Sequence, residues 1–457
     1  MLVIARVTCL RLACVFLLVV AIGCEREGNG VASHAAAPPP DPTPRLAGLE
    51  PWSHAWILAH TRSYLDDPSA RRAAMEGSLT EASNLYSEAR LAHYGRVREG
   101  WDTLPEWNPR VVPIDRTRAE ALARGEAIEV SPEAARFFEG DAPTRWQDWV
   151  ALGRRVFFEL PLRTEPYWSD ALRDPALAAR LGVERAPDGS VPGLVLVRDV
   201  DGVSRVGITC ALCHAAPAHE GDALVDGRAR RSLDYGLARI ELARTLGRTL
   251  PPEAEARFAG WGRGRADVLE ELSEVPIAIP DLYGLRHLRW LTQGATLRHV
   301  SPLALAVRQE TQYVQANHVR TRPPRVLVWA LVTFLYAIEP PSITTGQGET
   351  AAVARGRALF DATCRECHDG PAWSGDPTEL ERIGTHPELA RGHARGTGTY
   401  RPAPLLRVRE AAPYLHDGSV ADLAELLSPE REAPGHRFGT ELSSEERAAL
   451  LAFLETL

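Results

Sequence analysis

Apolar positions first fall into step at Trp52, Trp56, Ile57 and Leu65, close to the 3.6-residue period of a helix buried along one face. A second helix is predicted over Leu79 to Leu91, and the proline-punctuated stretch from Trp101 to Pro113 is predicted extended. Ser131-Pro132-Glu133 places a capping residue before a proline at the first helical position. That predicts a largely helical run from Ala134 to Phe158, interrupted near Gly140 to Pro143. Val195 to Val197 and Val203 to Ile208 read as a hairpin turning at Asp201-Gly202. Helical periodicity returns at Leu233 to Leu246, Leu303 to Val319, Pro324 to Ile338 and Glu349 to Cys364. A last helix opens at Ser443 with a capping-box partner at Glu446 and continues through Leu450, Leu451 and Phe453. The predicted fold class is mainly α.

The chain has 457 residues, enough for two or three cores. Proline and glycine divide it into residues 1–23, a Gly/Ala/Pro-rich tether over 24–45, a helical region over 46–145, a central region over 146–340 and, after the Pro340-Pro341 linker, a terminal region over 349–457. Sixty acidic residues against 52 basic ones give a net charge of −8, which argues against nucleic acid as a partner. Every basic residue is arginine, so chemistry needing a lysine nucleophile is excluded.

Arg6 and Arg11, an apolar run from Leu12 to Ile22 and then Gly23-Cys24 have the order of an export signal, and the run is too short for a permanent membrane span. The expected location is the periplasm. Lipid attachment at Cys24 would tether the protein to the envelope; cleavage near Ala35 to Ala37 would release it. Of seven cysteines, Cys9 and Cys14 leave with the signal, and four others fall in two short motifs.

Those motifs are Cys210-Ala211-Leu212-Cys213-His214 and Cys364-Arg365-Glu366-Cys367-His368. Two cysteines separated by two residues on a helical turn can form thioethers to one edge of a haem, and the following histidine reaches its iron. Zinc would draw four ligands from two such pairs and would not need histidine after each. The expected cofactors are two covalent c-type haems, with Cys210, Cys213, Cys364 and Cys367 as attachment points and His214 and His368 as iron ligands. A helix, the second motif, a long loop and a closing apolar helix give residues 349–457 the plan of a small cytochrome c domain. Leu152-Gly153-Arg154-Arg155-Val156-Phe157-Phe158 parallels Arg355-Gly356-Arg357-Ala358-Leu359-Phe360, so the chain is expected to hold two cytochrome-like units after an additional N-terminal helical segment.

The second axial ligand sets haem chemistry. Only Met1 and Met75 exist, and neither is placed to ligate the second haem. Candidates there are His386, His393, Tyr400, His416 and His436. His436 stands in a loop just before the closing helix. For the first haem, His219 lies too near His214 to cross the macrocycle, while His299 and His318 are free enough in sequence.

Residues 349–457 resemble the C-terminal half of the bacterial di-haem cytochrome c peroxidases and of the related di-haem enzyme that matures methylamine dehydrogenase. The resemblance rests on Gly356-Arg357-Ala358-Leu359-Phe360 before the motif, Gly398-Thr399-Tyr400-Arg401-Pro402-Ala403-Pro404-Leu405, Ala412-Pro413-Tyr414-Leu415-His416-Asp417-Gly418-Ser419-Val420, and the closing segment Ala449 to Leu457. It implies a peroxide-reactive haem at His214 and an electron-accepting relay haem at His368, with a small electron-donor or acceptor protein as partner. The peroxidases' relay methionine is missing; Ser428-Pro429-Glu430 stands there. Pro434-Gly435-His436-Arg437-Phe438-Gly439 resembles di-haem cytochromes with a late distal histidine, which implies His436 as the metal ligand. Three functions remain open: a peroxidase-like oxidoreductase, a non-enzymatic electron carrier, and a di-haem oxygenase.

Overall fold

A computed structural model describes residues 48–93, 101–165, 167–218, 223–267, 276–342 and 350–457. The export signal, the tether with Cys24, and His219 lie outside the described residues. All described residues belong to one compact unit.

Two helix pairs organise the fold. Trp146–Glu159 packs on Arg325–Ala337, and Ala351–Thr363 packs on Ser444–Leu454. Each crossing is closed by a glycine. A Cβ on Gly153 would lie 1.9 Å from the Ala330 carbonyl oxygen, and one on Gly356 would lie 1.9 Å from that of Ala449. Next to each glycine, a phenylalanine four residues on meets a phenylalanine four residues beyond the alanine. The Phe157 and Phe334 ring centroids are 5.2 Å apart at 59°, and those of Phe360 and Phe453 are also 5.2 Å apart at 59°. Both crossings thus use Gly-x-x-x-Phe against Ala-Leu-x-x-Phe, a repeat in sequence and in geometry. The terminal helix begins with the capping box of Ser443 and Glu446, as its sequence predicts.

The hairpin of Leu194–Arg198 and Ser204–Ile208 forms as expected, its turn held by Asp201 accepting from the Val203 amide at 3.0 Å. It is the middle of a four-stranded antiparallel sheet, flanked by Arg110–Pro113 and Arg163–Thr164. One apolar core extends from Trp56 to Ile338, and a second, from Val353 to Leu454, fills the terminal region.

Two helix predictions shift. The helix expected over Leu79 to Leu91 is replaced by Pro68–Ser78 and Leu85–His93. Asp67 caps the first of these through the Ser69 and Ala70 amides, and Leu79 leaves it extended to bridge Leu297. Ser131-Pro132-Glu133 opens no helix: the Ser131 hydroxyl accepts from the Glu133 amide and donates to its carboxylate, closing a local turn, and the helix waits until Trp146.

The helices before Trp101 are fixed to the core through a buried ionic chain. Glu310, fully buried, accepts from the Tyr64 hydroxyl at 2.9 Å and pairs with Arg325 at 2.8 Å; Arg325 pairs with Asp102 at 2.6 Å, and Asp102 with Arg71 at 2.6 Å.

Candidate haem sites

The first motif follows the sheet directly. Ile208 ends its strand, Thr209 stays extended, and Cys210–His214 forms one helical turn. The second motif follows the Ala351–Thr363 helix, with Cys364 as its C-terminal cap. Both histidines are oriented alike. His214 Nδ1 lies 3.0 Å from the Pro280 carbonyl oxygen, and His368 Nδ1 lies 3.0 Å from that of Trp373. A proton held on Nδ1 by a carbonyl leaves Nε2 as a lone-pair donor, the tautomer an iron ligand needs. Burial lowers the His214 pKa to about 4 and lowers that of His368 as well, so both rings stay neutral at physiological pH. Desolvation acts on three of the half-buried thiols as well, pushing Cys210 and Cys364 up to about 11 and Cys213 up to about 12.

Beneath the second motif is a broad apolar cavity whose lining includes Cys364, Cys367, His368, Leu405, Leu427 and His436. The His368 and His436 ring centroids are 6.2 Å apart. Two imidazoles binding one metal from opposite sides, with nitrogen–metal bonds of about 2 Å, place their ring centres about 6 Å apart, so the spacing suits one iron between them. Arg231, Arg382 and Arg401 also line the cavity, giving cationic partners for a macrocycle carrying two carboxylates. Burial lowers Arg401 to about 10; its Nε donates to the Thr292 carbonyl at 3.0 Å.

His436 is delivered by a strained loop. Gly435 has φ 83° with its α-carbon side closed by Thr385, and His436 has φ 47°, unusual for a residue with a side chain. The buried Arg431 holds the loop there, donating to the carbonyls of Ala433 at 3.0 Å, Gly435 at 2.6 Å and His436 at 3.0 Å. Burial, followed by repulsion from His368, lowers the His436 pKa to about 4.

Of the other candidates, Tyr400 and His416 also line the cavity but engage each other. The His416 ring packs at a tilt of 41° against that of Tyr400, whose hydroxyl lies 3.3 Å from His416 Nε2 and donates to the His386 carbonyl at 2.7 Å. His386 lies 3.8 Å from the Asp417 carboxylate, and His393 is exposed. Near the first motif, both nitrogens of His299 are engaged, Nδ1 with the Leu288 carbonyl and Nε2 with the Tyr336 hydroxyl, each at 2.7 Å. His318 sits with φ 55° just past the Pro302–Ala316 helix. Among the described residues, no second imidazole lies against His214. Cys210 instead adjoins Tyr313 and Arg308.

The Pro280 carbonyl and Arg431 escape a reading of the sequence, because a carbonyl has no residue signature and Arg431 is one of 52 arginines. The repeat of Ala330-Leu331 and Phe334 as Ala449-Leu450 and Phe453 is visible in the sequence.

Residues 353–457 match the family description of cytochrome c. They form a cytochrome c domain. Such a domain implies covalently bound c-type haem, and the residues at hand suit it: paired cysteines on a turn, a tautomer-fixed histidine and an apolar cavity. A solved structure of a MauG-like protein associated with microbial copper homeostasis is 23% identical to this chain, with a TM-score of 0.24. That similarity covers 29% of this chain and 56% of the other, so the chain spans little more than half of the length of the structure it matches. No curated protein matches the chain.

Proposed function

We propose that the chain is an exported two-haem oxidoreductase that reduces hydrogen peroxide with electrons from a small donor protein. The carrying observation is the asymmetry of the motifs: His368 faces a second imidazole across its cavity, and among the described residues His214 faces none. A doubly ligated iron stores and passes electrons, whereas an iron with an open position can also bind and cleave a peroxide O–O bond. In this reading Cys364, Cys367, His368 and His436 hold the relay haem of the cytochrome domain, and Cys210, Cys213 and His214 hold the reactive one. The repeated helix crossing supports a second cytochrome-like unit around the first motif.

The chain's own groups suit that division. Pro280 keeps the proton on His214 Nδ1. Arg308 lies within electrostatic reach of Cys210 and Tyr86, the Tyr313 hydroxyl is hydrogen-bonded with the Cys210 thiol, and the buried Tyr86 hydroxyl has no hydrogen-bond partner among the described residues. The Tyr86 hydroxyl is an O–H donor available to a small oxygen ligand. The net reaction takes one peroxide, two electrons and two protons to two waters. The purely electron-carrying reading is favoured by the His368–His436 pair, which leaves that site no room for substrate.

Electron paramagnetic resonance of the oxidised holoprotein, with haem counting after denaturation, tests the proposal. Two retained haems, one high-spin ferric signal and peroxide-dependent oxidation of a reduced small cytochrome are expected. Two low-spin signals that persist on partial reduction, without turnover, would establish the carrier. The order of an export signal over residues 1–24 supports a periplasmic location with a lipid anchor on Cys24. Cys24→Ser should move it from the membrane to the soluble fraction; unchanged solubility with a mature start near Ala37 would remove the anchor.

A further inference from the structure

Pro280 belongs to both sites at once. Its carbonyl oxygen lies 3.0 Å from His214 Nδ1, and the residue also lines the cavity of the cytochrome domain, with Ala278, Ile279, Asp281 and Tyr283. No other segment of the described chain combines a hydrogen bond to the imidazole ring of His214 with a place in the wall of the second motif's cavity. We propose that residues 277–283 are the electronic bridge between the two haems, joined to the first through the His214 Nδ1–H···O=C Pro280 hydrogen bond and to the second through the cavity wall that the segment forms. This rests on the two-haem reading above and specifies how its sites communicate.

The segment is held on both sides as a bridge must be. Toward the cytochrome domain, the Ala278 amide donates to the His416 carbonyl at 2.8 Å, and Gln293 Nε2 donates to the Ala278 carbonyl at 3.0 Å. Toward the first motif, Asp281 accepts from the Ala229 amide at 2.7 Å and pairs with Arg231 at 2.8 Å, and the Leu282 amide donates to the Gly227 carbonyl at 2.8 Å. The Gly227–Arg231 strap is itself tied to the motif. The Gly227 amide donates to the His214 carbonyl at 2.9 Å, and the Arg230 amide to that of Cys213 at 2.8 Å. The guanidinium of the buried Arg230 adds bonds to the Leu212 carbonyl at 2.9 Å and the Ala215 carbonyl at 2.6 Å. Arg231, next in sequence, lines the second cavity. Asp281 is therefore the positioning residue: its carboxylate locks the segment to the strap and so sets the Pro280 carbonyl against His214.

The step is one electron. It leaves the iron held by His368 and arrives at the iron held by His214; the first is oxidised by one unit, the second reduced by one. No covalent bond changes, the proton stays on His214 Nδ1, and the small donor protein restores the electron. Donors and acceptors already fixed in place keep the reorganisation accompanying such a transfer small.

The test uses the full haem-loaded chain. Haem is counted after denaturation, the protein is reduced by a pulse of radiolytic electrons, and exchange between the haems is followed by absorbance. Resonance Raman of the reduced protein reads the iron–histidine stretch at His214, which falls when the Nδ1 hydrogen bond weakens. Asp281→Asn, nearly isosteric, and Pro280→Gly, which keeps the carbonyl but frees its position, should each slow interhaem exchange at least threefold and lower that frequency, with two haems retained. Arg231→Gln serves if either variant fails to fold, with the same expectation. Asp201→Asn, in the sheet hairpin, should change neither readout. Two haems with exchange unchanged in the bridge variants overturns the bridge and leaves the two-haem reading standing. One haem per chain overturns that reading and the bridge together.

Discussion

The imidazoles of His368 and His436 meet across the cavity of the cytochrome domain with their planes at 70°. With methionine absent from the domain, a haem seated between them would be bis-histidine and of lower potential than a His/Met haem. His436→Met should keep covalent haem and raise the potential of one iron in a redox titration. His436→Ala should convert one low-spin haem to high spin or to water ligation. Unchanged spectra and potentials in both variants would strike His436 from the ligand set and turn attention to His386 and His393.

The paired crossings predict paired sensitivities. A methyl group at Gly153 or Gly356 would enter the carbonyl of the opposing helix, so Gly153→Ala and Gly356→Ala should each destabilise the fold. Overpacking of this kind costs about 1–3 kcal/mol, or more where backbone must move. Thermal unfolding of the two holoproteins would measure it; a variant as stable as the parent would show that the helices can part without penalty.

Glu310→Ala should be the most damaging change in the buried ionic chain, since it leaves Arg325 and the Tyr64 hydroxyl without their shared acceptor. Breaking a buried pair by removing one partner costs about 3–5 kcal/mol. Urea unfolding should show it, and limited proteolysis should cut first between residues 48 and 93, the helices this chain secures.

His299 predicts a pH dependence independent of haem. Burial lowers its pKa from 6.5 to about 4. Above pH 6.5 the ring is neutral in both folded and unfolded chains, and its contribution is fully present. Between 6.5 and about 4 the unfolded chain takes up a proton that the folded one refuses, so stability declines with falling pH. The loss approaches about 3 kcal/mol for this one group near pH 4. His299→Gln should remove one proton's share of that slope in denaturant titrations at pH 7, 5.5 and 4; parallel curves for variant and parent would refute the assignment.

The sequence discloses the covalent chemistry and most of the helices because both are local. Cys-x-x-Cys-His needs five consecutive residues, and the capping box at Ser443 needs four. The hairpin is equally local, yet its flanking strands at Arg110–Pro113 and Arg163–Thr164 are separated by most of the intervening chain and carry no alternation of their own. Ser131-Pro132-Glu133 misleads because a hydroxyl can satisfy a nearby amide by a turn as readily as by a helix. Pro280 is invisible for a different reason: its part is played by a backbone oxygen, brought to His214 from 66 residues away.

The wall that Ile279, Pro280 and Tyr283 lend to the cavity has a consequence for dissection of the molecule. Residues 350–457 match the outline of a free-standing cytochrome, but excised as a fragment they would leave that side of the pocket facing water. A haem edge hydrated there, where the intact chain covers it with apolar side chains and the Arg231–Asp281 pair, would titrate at a different potential and autoxidise faster in air. The same fragment would give up the backbone bond from Ala278 to His416, and with it one of the ties that keep the loop after Ala412 in place. A reductive titration of the fragment beside the whole chain would therefore measure how much of the redox character of this domain is written outside its own boundaries.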